Sequence, residues 1–109
     1  MQLQISFHGL AHSDALAQAI AEAAQGLERF YGHLIRCRVV VELASRSRQQ
    51  GNAYVVRIVL DVPGVELAVT HEHDLDPHVA LREAFHAARR RLEDYVRIRR
   101  GEVKSHRLA

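Results

Sequence analysis

Fifteen of the 109 residues are basic, and fourteen of those are arginine. Arginine presents a planar fork of donors that grips phosphate and stacks on bases. These residues are unevenly placed. Residues 80–109 hold nine Lys/Arg against four acids, a net of +5, so the other 79 residues stand at −3. On a helical wheel, Arg82, His86, Arg89, Arg90, Arg97 and Arg100 fall in one sector beside an apolar seam. From Arg82 to Arg100 is 18 residues, about 27 Å of helix, and a row of guanidinium groups of that length can track a phosphate backbone. Glu83 and Asp94 lie at the edge of the row and Glu93 interrupts it. An ordinary solvated helix face, laced by i,i+3 and i,i+4 ion pairs, has the same composition. Arg36 and Arg38, on the polar side of a strand, are further candidate contacts, with Arg46 and Arg48 in the loop that follows.

Two other groups have the right residue types for chemistry. His71, His73 and His78 flank acids in HEHDLDPH, and a His-x-His pair with a carboxylate can hold a metal. Side chains at i and i+2 of a strand end share a face without any metal, so the spacing is weakly specific. Cys37 sits among alternating apolar residues, where a thiol packs as a small hydrophobe. Neither a glycine-rich phosphate loop nor a pair of carboxylates set for acid–base work is present. The sequence therefore predicts no catalytic residues, no cofactor and no resident metal.

The elements that must position the row read clearly. Leu3, Ile5 and Phe7 alternate with polar residues over 2–8, which predicts a half-buried strand ended by Gly9. Ser13 is a helix N-cap, and Leu16, Ile20, Ala23, Leu27 and Phe30 recur at helical spacing over 14–31, with Gly32 placed to supply a left-handed C-terminal residue. Residues 34–44 and 53–62 alternate as strands. Pro63-Gly64 joins the second of these to a strand over 65–71 as an antiparallel hairpin. Asp76-Pro77 opens a last helix whose seam is Leu81, Phe85, Ala88, Leu92 and Tyr95/Val96, and Gly101 stops it.

The order β-α-β-β-β-α predicts an α+β fold, a two-layer sandwich with two helices on one face of a four-stranded sheet. Residues 1–101 read as one domain and residues 102–109 as a frayed tail. One cysteine excludes an internal disulfide and fits a reducing compartment. Without a signal-peptide pattern or a long apolar run, a cytoplasmic protein with no membrane partner and no small-molecule substrate is expected. An exposed strand edge is compatible with dimers, and the oligomeric state stays open.

Three passages carry a resemblance: HLIRCRVVVEL at 33–43, DVPGVELAV at 61–69, and DPHVALREAF at 76–85 leading into a basic amphipathic helix. In this order and spacing the chain resembles the ribosome hibernation-promoting factors, also called ribosome-associated translation inhibitors. The resemblance implies a fold similar to the double-stranded-RNA-binding domain. It also implies a partner, the small ribosomal subunit and its rRNA, whose mRNA and tRNA channel the protein occupies when growth stops, without catalysis. Ending at residue 109, the chain resembles the short form of the family. It departs from the usual pattern at His78 and Arg82, and its first helix carries only Arg29 as a basic residue. Carried over, the contacts fall on Arg82, Arg89, Arg90, Arg97 and Arg100. The alternative reading is a protein-interaction module that keeps the fold without the ribosome.

Overall fold

The computed structural model describes residues 1–45, 52–73 and 75–101. Its elements are β1 (Gln2–His8), α1 (Asp14–Phe30), β2 (Arg36–Ser45), β3 (Asn52–Val62), β4 (Val65–His73) and α2 (Pro77–Arg99). The expected α+β order is thus observed. Arg46, Arg48 and the expected tail at 102–109 lie outside the described residues.

The sheet runs β1-β2-β3-β4. β1 pairs parallel with β2, while β2–β3 and β3–β4 are antiparallel. A parallel neighbour needs a crossover, and α1 is that crossover. Alternation puts Cys37, Val39 and Val41 of β2 and Val56, Ile58 and Leu60 of β3 against the helices, all fully buried. They meet Leu16, Ile20, Ala24 and Leu27 of α1 and Leu81, Phe85, Ala88 and Leu92 of α2. The core lies wholly between the two layers, and the other sheet face carries the charged residues of the strands.

Caps fix the helix ends. Ser13 Oγ accepts from the Leu16 N–H, and the Asp76 carboxylate accepts from the His78 N–H at 2.8 Å, with Pro77 in the first turn. Gly101, at φ +76°, ends α2 as expected. Gly32 does not play that part for α1. The helix stops instead at Tyr31, in extended conformation, whose N–H still reaches the Leu27 carbonyl, and the chain passes straight on toward β2. Gly9 turns the chain out of β1 at φ +77°, where a Cβ would stand 2.6 Å from the Leu43 carbonyl oxygen. Among the described residues no helix is long and apolar enough to cross a membrane.

Candidate nucleic-acid interface

α2 is 23 residues long and buries one side, from Ala80 to Val96, against β3, β4 and α1. The remaining side is where the arginine row must emerge. Arg82, His86, Arg89, Arg90, Arg97 and Arg100 are all exposed there, on the outer surface of the helix layer. The row borders α1, since the Arg89 guanidinium lies 4.2 Å from the centre of the Phe30 ring.

The charges in the row are not equally free. Arg89 also donates to Glu93 at 3.1 Å, and Arg97 pairs with Asp94. Among the described residues Arg82, Arg90 and Arg100 have no ion-pair partner. Three guanidinium groups are therefore available to a polyanion, and two more sit beside them on pairs that water screens and phosphate can displace.

Arg36 and Arg38 lie on the opposite face of the sheet, so the structure does not bring them to the row. Residues of β2 alternate, and those between the core positions point away from the helices. Asp61 of β3 stands directly across from Arg36. Its carboxylate accepts from Arg36 Nε at 2.6 Å and from Arg38 at 2.9 Å, and Arg38 also reaches Glu66 at 2.8 Å. Burial alone would raise the Asp61 pKa, but the two hydrogen bonds and charges outweigh it and hold the carboxyl below its usual value. Hydrogen bonds donated to Asp61 and then to Glu66 push the Arg38 guanidinium further up. These two arginines are engaged in holding β2, β3 and β4 in register.

His73 and Cys37 have local roles. The His73 imidazole Nδ1 accepts from the backbone N–H of Leu75 and of Asp76, which steadies the turn into α2. Among the described residues no three His, Cys, Asp or Glu side chains converge on a point that would hold a metal. Cys37 is fully buried, and burial, helped by the charge of Asp61, pushes its thiol up to about 12.

The sequence model of the Sigma 54 modulation protein / S30EA ribosomal protein family matches residues 3–100, from β1 to the end of α2. The chain belongs to this family. The resemblance drawn from the three passages is borne out. A ribosomal subunit interface protein from Coxiella burnetii has a similar structure at 16% identity, with a TM-score of 0.73 over 87% of this chain and 97% of that one. The N-terminal domain of Thermus thermophilus Protein Y is similar at 21% identity, with a TM-score of 0.73 over 87% and 99%. At these identities the likeness shows the shared fold. Comparison with curated protein sequences gives no significant match.

Two arginines of this S30EA-family chain have parts that helical spacing did not suggest. Arg91, outside the row, reaches the sheet edge and donates to the Ala68 carbonyl of β4 at 2.9 Å. Arg99 lies over the Tyr95 ring at 5.5 Å. Tyr95 donates to the Pro63 carbonyl at 2.7 Å and meets Tyr31 edge to face, so it pins the end of α2 to the β3–β4 hairpin. Burial and the neighbouring Tyr31 push its phenol up, against an opposing pull from Arg99. The only advance signal was the clustering of arginine itself, which does not distinguish a packed guanidinium from a free one.

Proposed function

We propose that this chain binds the small ribosomal subunit through α2, occupies the channel used by mRNA and tRNA, and blocks translation in the cytoplasm when growth stops. The observation that carries the reading is the row of exposed guanidinium groups at Arg82, Arg90 and Arg100, unpaired among the described residues, on the outer helix of an S30EA-family fold. The family description includes a ribosomal protein, and one structural neighbour is described as a ribosomal subunit interface protein, which supports the same partner. The action is occupancy: rRNA phosphates exchange condensed counterions for arginines, and the protein fills space that the substrates of translation need. α1 adds little to this, because its exposed charges are Asp14, Glu22 and Arg29.

The thin charge of α1 favours one second reading, a protein-interaction module that uses the α1 face. Co-sedimentation with ribosomes at low and high salt separates the two. Ribosome binding predicts pelleting at low salt that is lost on the charge reversals Arg82→Glu and Arg90→Glu. A protein partner held by α1 predicts no pelleting with ribosomes and indifference to both substitutions.

A further inference from the structure

Along the first half of α2 the helix layer is incompletely filled. α1 presents only methyl groups there, Ala19 and Ala23, and these stand opposite Leu81 and Phe85. Small side chains facing larger ones leave an open groove of about 330 Å³ on the outer surface. Its volume is at the low end of the ~300–1,000 Å³ typical of small-molecule pockets. Farther along, Arg89 over Phe30 bridges the two helices.

The two sides of the groove differ in chemistry. The floor and the α1 wall are apolar. The α2 wall is a ladder of donors, His78, Arg82 and His86, spaced four residues apart and so about 6 Å per step. All three are exposed. Two of them, Arg82 and His86, also belong to the basic row.

We propose that this groove receives one unstacked base of ribosomal RNA, with Arg82 holding the adjoining phosphate; the inference rests on the ribosome-binding reading above. A base offers flat apolar faces to Ala19, Ala23, Leu81 and Phe85, and its edge and phosphate offer acceptors to the ladder. An apolar side chain from a protein would fill the floor equally well. It would also cover Arg82 and two imidazoles without giving them acceptors, and covered, unpartnered donors are costly. A nucleotide satisfies both walls at once. The groove thereby adds a site for a splayed single-stranded nucleotide to a row that otherwise reads only phosphate.

The test uses adenosine 5′-monophosphate as probe in an amide NMR titration, together with the groove-filling variants Ala19→Leu and Ala23→Leu in ribosome co-sedimentation. The expected result is that millimolar nucleotide shifts the amides of Ala19, Ala23 and residues 81–86, and that Ala23→Leu removes those shifts. Each filling variant, with an unchanged circular dichroism spectrum, binds ribosomes about ten-fold more weakly. The salt dependence stays as in wild type because no charge has been removed. The proposal is overturned if the nucleotide leaves the groove amides unmoved, or if both filled variants bind ribosomes like wild type. In that second case a loss of binding in Arg90→Glu, outside the groove, shows that the ribosome reading survives the failure of the groove. Wild-type protein that does not pellet at low salt overturns both.

Discussion

The Arg89 guanidinium lies 4.2 Å from the centre of the Phe30 ring, so a residue of the basic row also ties α2 to the end of α1. A cation over an aromatic face at a partly exposed site is worth about 0.5–1 kcal/mol. Arg89→Ala is therefore expected to lower unfolding stability by about that much. Arg90→Ala, one residue on and exposed without an ion-pair partner among the described residues, is expected to change it by less than about 0.5 kcal/mol. Urea denaturation of the two variants makes the comparison. Equal losses would contradict the assignment of a packing role to Arg89 alone.

On the opposite sheet face, Asp61→Asn leaves Arg36 and Arg38 facing a neutral amide. Both arginine side chains are partly exposed, so the expected loss is about 1–3 kcal/mol, below that of a fully buried pair. The pH dependence has a definite sign. The folded Asp61 pKa is depressed, so its contribution is complete above the unfolded carboxyl value of about 3.9 and is lost as pH falls below it. The stability gap between wild type and Asp61→Asn should be constant from about pH 5 upward and shrink below about pH 4. A gap that widens on acidification would contradict this.

Two glycines separate backbone strain from steric collision. Gly9 and Gly64 both have positive φ, +77° and +90°. A Cβ at Gly9 would collide with the Leu43 carbonyl oxygen at 2.6 Å, whereas one at Gly64 meets nothing within 4 Å. Gly64→Ala is expected to cost about 1 kcal/mol from conformation alone, and Gly9→Ala clearly more, because β1 must move off β2. Thermal unfolding of both variants orders them.

Cys37 is expected to be inert in the folded protein. Its thiol is fully buried and pushed up to about 12, so at pH 8 the reactive thiolate is scarce and inaccessible. A thiol-reactive dye should label native protein far more slowly than urea-unfolded protein. Equal rates would show that the β2–helix core opens readily.

The fold was legible because each strand alternates with period two and each helix carries its own start signal. Leu3, Ile5 and Phe7 announced β1, and Asp76-Pro77 announced α2. Spacing within an element, however, says nothing about what stands across from it. The exchange of Arg36 and Arg38 with Asp61 joins residues more than twenty positions apart, so strand spacing could not show that these two candidate contacts also belong to a sheet-face ion cluster. Gly32 was misjudged for a similar reason, since the chain leaves α1 extended and needs no left-handed residue there. The groove was hidden because Ala19 and Ala23 read as ordinary members of an amphipathic helix. Only the distance between α1 and α2 turns small residues into an open space.

In the proposed function the outer face of α2 meets rRNA phosphates. Quantitative co-sedimentation with ribosomes across a salt series tests it most directly. Three to five phosphate contacts predict that log K falls with log salt at a slope of about −3 to −5. Arg90→Glu should weaken binding at every salt and reduce the slope by about 1, while Arg36→Gln, on the far sheet face, should leave the slope unchanged. A folded wild-type protein that fails to pellet at low salt, or whose binding is indifferent to salt, would rule out ribosome binding through α2.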